Sequence, residues 1–505
     1  MTAISNSRKR LTTPQPSDVL RKRKNIRMWR NIATMAVATI LLAAFGLRHA
    51  YAQGPDTATD ITNIKIGIDT VWVMITGFLV FFMQLGFAIL ETGMIRQTAG
   101  VNALLENFLE AGVGAVVWWL VGFGLAFGAD NGSGLWGTTL FAPGIGTADT
   151  IMYGNIGTFT MFFFQFAFAA TASTITTGAM AERTDFIGNF IYTAIVIVFI
   201  YPIVVHWIWG GGWLFQQGFF DFAGSNVVHT VGGVIALVGA WVLGPRKGKV
   251  WGKTIPPHNL GLALIGTMIL WVGWYGFNPG STLGAVGVAG TIGIVTLNTT
   301  LGAGVGSLSA MFFGYFRTGK WSLVSTLNGS LAGLVAITGG CAFVSPVAAM
   351  IIGGVAGIVL LLWGDLLEII KVDDAVGASS VHLACGVWGI IGIGLFAEPT
   401  LTPFAANVKA GMGGLLVSGG SIDILITQLT GSIATIVWCA VTSFIMFYAL
   451  KVTKHLRVNP KAEEDGNFID NYEHGESIWP DVLTLPGDAP MPAEAKARTA
   501  PAVGD

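Results

Sequence analysis

Hydrophobic residues in this chain run in long blocks instead of short alternations. Apolar segments lie at roughly 70–95, 102–128, 156–180, 186–208, 226–243, 260–277, 288–316, 322–343, 347–369, 378–396 and 425–450. Each is close to the about 17–25 residues with which a helix crosses a hydrocarbon core. The pattern predicts an all-α polytopic membrane protein of eleven transmembrane helices.

Composition agrees. The 505 residues are 53% hydrophobic and 11% charged with a net charge of −1, where soluble domains carry about 25% charged residues. Near-neutral charge offers nothing to nucleic acid. Cys341, Cys385 and Cys439 stand apart in apolar runs, without metal-ligand or disulfide spacing, and read as small core residues. No nucleophile constellation, metal cluster or phosphate loop argues for an enzyme, and the glycine runs lie inside apolar helices instead of after strands. No cofactor is expected.

The first residues differ from the rest. Arg8, Lys9, Arg10, Arg21, Lys22, Arg23, Lys24, Arg27 and Arg30 precede "IATMAVATILLAAFGL" and then "AYA". This order of charged region, apolar region and small residues at Ala50 and Ala52 reads as a cleavable signal peptide over 1–52. A retained first helix is the alternative, and the apolar stretch falls short of the about 20 residues that a span needs. A transmembrane domain over 53–450 and a polar tail over 451–505 complete the organisation.

Basic residues alternate from loop to loop. Arg96, Arg183, the group Arg246, Lys247, Lys249 and Lys253, then Arg317 and Lys320, Lys371, and finally Lys451, Lys454 and Arg457 follow odd-numbered helices, while the intervening loops hold only Lys409. Basic loops stay cytoplasmic. The mature N-terminus, with Lys65 its one basic residue, is therefore expected outside and the tail inside, in the plasma (inner) membrane of the cell.

Against this topology two histidines stand out. In "DFAGSNVVH" His229 follows Asp221 by eight residues, and in "DDAVGASSVH" His382 follows Asp374 by eight. Eight helical residues span about 12 Å, close to half of a core about 30 Å thick. Each ring is thus expected near the midplane, reached from opposite faces. Two sets of five helices running in opposite senses, plus a final helix, make an inverted repeat with its site at mid-membrane. A lone histidine in an apolar helix commonly bonds a nearby serine or carbonyl. Two at matched depth instead point to a pathway. Asp221 and Asp374 suit helix N-termini, where a carboxylate meets free amides, so Asp221 is read as structural, shaping an outer vestibule. Neutral imidazoles can offer donors and acceptors to a small polar molecule and can relay a proton. Both properties suit ammonia.

The chain resembles the ammonium transporter (Amt/Mep/Rh) superfamily, Amt branch. The resemblance rests on "GAMAERTDF" at 178–186, "WGGGWL" at 209–214, "DFAGSNVVH" at 221–229, "GWYGFNPGS" at 273–281 and "HLACGVWG" at 382–389. It implies twin pore histidines at His229 and His382, an outer recruitment site of Phe168, Trp209 and Ser281, and a stacked gate of Phe168 and Phe277. It also implies a homotrimer with a pore through each subunit, NH4+ and methylammonium as substrates, and membrane lipid around the assembly. The tail segment "LRVNPKAEEDGNFIDNYEHGE", with Gly466, Asp470 and "HGE", resembles the family's docking surface for PII-type regulatory proteins. Leu383 departs from the glycine that many relatives have, which is expected to narrow the lower pore or tilt His382. Asp374, absent from some relatives, carries less functional weight than Asp221.

The expected mechanism is recruitment of NH4+, deprotonation near the gate and passage of NH3 past the imidazoles, with K+ excluded because it has no proton to shed. Two other classes compete. A bis-histidine haem protein would show a Soret band. A membrane ammonium sensor would carry an appended signalling domain, and the tail lacks core-forming periodicity.

Overall fold

A computed structural model describes residues 57–148, 152–402, 412–463 and 468–479. The expected leader at 1–52, Lys409, Gly466 and the last part of the tail lie outside these residues. Contacts divide the chain at Ile64, and the site lies wholly in the unit from Lys65 onward.

Eleven apolar helices run through the described residues. They are α1 (Thr59–Met94), α2 (Gln97–Phe127), α3 (Thr158–Met180), α4 (Phe186–Gln216), α5 (Ser225–Leu243), α6 (Leu260–Gly280), α7 (Ala289–Thr318), α8 (Leu323–Thr338), α9 (Pro346–Ile370), α10 (Ser380–Phe396) and α11 (Ile422–Val452). Nine are long and apolar enough to span a membrane, and α8 and α10 are shorter. Polarity is inverted relative to a soluble protein. Phe108, Phe316 and Ile369 are exposed, whereas Asn298, Thr299, His229 and Gln428 are fully buried. Lipid is the solvent that makes this favourable.

Small residues set the helix spacing. Gly302 and Gly306 of α7 face Gly333 of α8 and Gly353 of α9, and a Cβ at Gly306 would lie 2.9 Å from Gly333 Cα. Glycines of "GAGVG" at 302–306 and "GGVAG" at 353–357 thus serve contacts inside one chain. Helix α8 stops at Thr338, five residues short of the apolar run. The reason lies at the next residue, where Gly339 gives its N–H to Ser225 Oγ at 2.7 Å and its carbonyl to Phe222 N–H at 2.9 Å.

The repeat is visible where α5 and α10 begin. Asp221 accepts from the N–H groups of Gly224 and Ser225 through Oδ1, and from Asn226 and Val227 through Oδ2, at 2.7 to 3.0 Å. Asp374 accepts from Gly377 and Ala378 through Oδ1, and from Ser379 through Oδ2. Three residues after each aspartate a glycine turns left-handed, Gly224 at φ 117° and Gly377 at φ 84°, a region open to few other residues. Each helix then opens with a π turn, Ser225–Thr230 or Ser380–Ala384, that contains its histidine. The two π turns pack against each other. Hydropathy had not anticipated the π turns, which tend to accompany functional sites.

Candidate functional site: a ladder of rings between two cavities

A cavity of about 280 Å³, the outer one in the topology expected from the basic loops, is bordered by Phe168, Trp209, Asp221 and Ser281. Trp209 donates its indole N–H to the Asp221 carbonyl at 2.8 Å, which fixes the ring plane. Ser281 donates its hydroxyl proton to the Phe277 carbonyl at 2.8 Å, so its oxygen is left as an acceptor. The Asp221 carboxylate is turned away from the cavity into its four amides. Burial pushes its pKa above the ordinary value, and those amide bonds pull against the rise.

The floor of this cavity is aromatic. Phe168 and Phe277 lie 4.1 Å apart between centroids at 32°, both fully buried, with Trp209 edge-on to Phe168 at 6.0 Å. Directly beneath, His229 stacks on Phe277 at 5.4 Å and 19°, and on Trp274 at 5.4 Å and 26°. Its Nδ1 lies 3.2 Å from Nδ1 of His382. His229 Nε2 is buried without a hydrogen-bond partner among the described residues. His382 in turn lies 6.3 Å from Phe87 and borders a second cavity of about 30 Å³, the inner one in the same expected topology, with Glu91 and Trp274.

All five ring positions expected from the sequence thus form one line, with Ser281 at its outer end. A Nδ1-to-Nδ1 contact needs one proton between the two rings. Direct ring contact also leaves no width for a macrocycle between the histidines, which counts against haem ligation. Val381 and His382 border the inner cavity and Leu383 does not. Its backbone instead packs on α5, where a Cβ at Gly233 would lie 2.7 Å from Leu383 Cα. The expected narrowing of the lower pore by Leu383 is not what the fold shows.

Three contributors escaped the sequence reading. Trp274 sits three residues before Phe277, the spacing that puts two side chains on one helix face, and it is held by an N–H bond to Thr338 Oγ1 at 2.8 Å. That spacing could have revealed it. Phe87 and Glu91 of α1 carry no such signal, because their partners lie on distant helices.

The profile of the Ammonium Transporter Family matches residues 71–478. The chain belongs to the ammonium transporter family. Ammonium transporter Amt2 of Archaeoglobus fulgidus is 39% identical over 91% of this chain and 98% of its own length. A putative ammonium transporter of Synechocystis is 38% identical over 84% of this chain and 92% of its own. Among solved structures, the Sensor Amt Protein matches with a TM-score of 0.73 at 37% identity, covering 79% of this chain and 97% of that one. Candida albicans Mep2 matches at 0.71 and 30% identity, covering 78% and 86%. The family consists of transporters, not enzymes.

In this family member the basic loops form an ion-pair network. Arg246 makes two bonds to Asp373 oxygens at 2.9 Å and one to Glu182 at 2.9 Å, and Glu182 also pairs with Arg96. Burial alone would raise the Asp373 pKa, but the bonds from Arg246 outweigh it and hold the carboxyl at about 2. Arg183 is fully buried and spends its protons on the Ala181, Gly244 and Asp373 carbonyls. Burial lowers its pKa to about 10. The network ties together the ends of α1, α3, α5 and α9. The tail docks on the same face: Asp470 accepts from Val101 and Asn102 N–H at 2.9 Å, and His474 Nε2 lies 2.9 Å from Asn102 Oδ1.

Proposed function

We propose that this protein carries ammonium across its membrane. NH4+ is held at the outer cavity by the faces of Trp209 and Phe168 and by the Ser281 oxygen. It loses a proton above Phe168 and Phe277, and NH3 moves past His229 and His382. The observation that carries this reading is the ring ladder from Trp209 to His382, in which the phenyl rings of Phe168 and Phe277 stand between the Ser281 hydroxyl at one end and the histidine pair at the other. A bare cation gains little there. A neutral, hydrogen-bonding molecule of ammonia's size loses little.

The proton travels separately. With one proton shared between two Nδ1 atoms, the pair can accept a second from one side and release the first to the other, so charge crosses with NH3. K+ is excluded, having no proton to give up and no carbonyl cage to replace its water. We further propose a homotrimer with one pore per subunit in the inner membrane, a leader removed from 1–52, a mature N-terminus outside, and a cytoplasmic tail that meets a PII-type regulator.

A sensing role is the second reading, favoured by the likeness to the Sensor Amt Protein. Uptake of radiolabelled methylammonium into proteoliposomes of the purified chain separates the two. Uptake that ammonium competes away supports transport, and its absence with ammonium binding retained supports sensing.

A further inference from the structure

Beyond the histidine pair, α1 brings a carboxyl into the same cavity. Phe87, whose ring lies against His382, and Glu91 are one helical turn apart, about 6 Å along the axis, and both border the inner cavity with His382. Glu91 is 2% exposed. Its hydrogen-bond partners are neutral. Asn107 Nδ2 donates at 3.0 Å, and Thr177 Oγ1 lies 3.1 and 3.2 Å from the two carboxyl oxygens.

Proton counting is informative at Thr177. Thr177 Oγ1 also lies 2.7 Å from the Thr174 carbonyl, and its single hydroxyl proton serves one acceptor at a time, so when that proton is on the shorter contact a proton on Glu91 completes the Glu91–Thr177 contact. Bare glycine at 178 keeps the carboxyl open to the cavity, for a Cβ there would lie 3.3 Å from Glu91 Oε1 and 2.7 Å from Val376 Cγ2. At about 30 Å³, the cavity has room for a single small molecule such as water or ammonia.

We propose that Glu91 is the inner proton-exchange group of this pore. The proposal rests on the reading in which proton and NH3 travel apart. On arrival of NH3 the Glu91 O–H bond breaks and an N–H bond forms, giving NH4+ and a carboxylate. NH4+ then leaves the cavity and a water takes its place, through which the carboxylate recovers a proton from the imidazolium of His382, returning the histidine to neutrality. One proton accompanies each NH3, and nothing is oxidised or reduced. Among the described residues, His382 of α10, Glu106 and Glu110 of α2, and Tyr192 of α4 are titratable groups around Glu91. Glu110 is itself held by neutral hydroxyls, Thr174 at 2.6 Å and Thr193 at 3.2 Å, and provides the next carboxyl beyond Glu91.

The test uses the full chain in proteoliposomes. Ammonium pulses on a solid-supported membrane are expected to give a wild-type current that falls about a hundredfold in Glu91→Gln, the lower end of what a positioned acid or base contributes. The half-saturating ammonium concentration stays unchanged, because the outer cavity is untouched, and Glu91→Asp recovers part of the current. Infrared difference spectra of the wild type, with and without ammonium, are expected to contain a protonated-carboxyl band that Glu91→Gln lacks. A wild-type current retained in full by Glu91→Gln overturns the proposal alone. Ammonia flux without any wild-type current overturns the separate-proton reading and this proposal with it. A wild type without any ammonium-sensitive carboxyl band overturns the proposal even where the variant fails to fold.

Discussion

His229 and His382 meet Nδ1 to Nδ1 at 3.2 Å, although they ride on helices that belong to different halves of the chain. The contact is built by repetition. In each half an aspartate gathers the free amides of a helix start, a left-handed glycine turns the chain, and a π turn brings the histidine to the meeting point. The pair is thus held by backbone geometry at both ends.

In the proposed mechanism, recruitment rests on Trp209 and Ser281, which border the outer cavity. Changing Trp209 and Ser281 together to alanine removes a cation–π face and a hydroxyl acceptor. A cation–π contact contributes about 0.5 to 2 kcal/mol, which predicts a rise of about 2- to 30-fold in the half-saturating methylammonium concentration. Radiolabelled uptake with an unchanged half-saturation would contradict the outer site.

The ion network at the basic face predicts a pH dependence of stability. Asp373 is held at about 2 against an ordinary 3.8. A depressed carboxyl contributes stability that is complete above the ordinary value and disappears as pH falls through the folded one. The shift corresponds to about 2 kcal/mol. Asp373→Asn should therefore unfold at lower temperature than wild type at pH 7, with the gap closing between about pH 4 and pH 2. Thermal unfolding of the detergent-solubilised protein measures it, and a gap equally wide at both ends would rule the network out as its source.

Packing of α7 on α8 leaves no room at Gly306, where a Cβ would already lie 2.9 Å from Gly333 Cα. Gly306→Leu is expected to cost about 1–3 kcal/mol or more. The same unfolding assay checks it, and a wild-type melting temperature would mean that the helices are less closely seated.

What the sequence disclosed follows from what is local. Apolar run lengths exposed the helices, the eight-residue spacing exposed Asp221 with His229 and Asp374 with His382, and motif resemblance reached Phe168, Trp209, Phe277 and Ser281. Relations between distant helices were silent. Glu91 looks like an isolated acid in an apolar run until Asn107 and Thr177 are seen around it. Arg183 and Arg246 look like topology charges until Asp373 and Glu182 arrive. The early end of α8 was hidden for the same reason, since Gly339 is occupied by Ser225 and Phe222, more than a hundred residues away in the chain. Leu383 misled because its backbone packs against Gly233 of α5, a contact with a helix about 150 residues away in the chain that the sequence does not reveal.

The most direct test of the histidine relay is the current that follows an ammonium pulse to proteoliposomes on a solid-supported membrane, recorded for wild type, His229→Ala and His382→Ala. The account predicts a wild-type current that both single variants lose. Ammonia entry detected as a rise in internal pH, with no current from the wild type, would contradict it and leave a channel for the neutral gas.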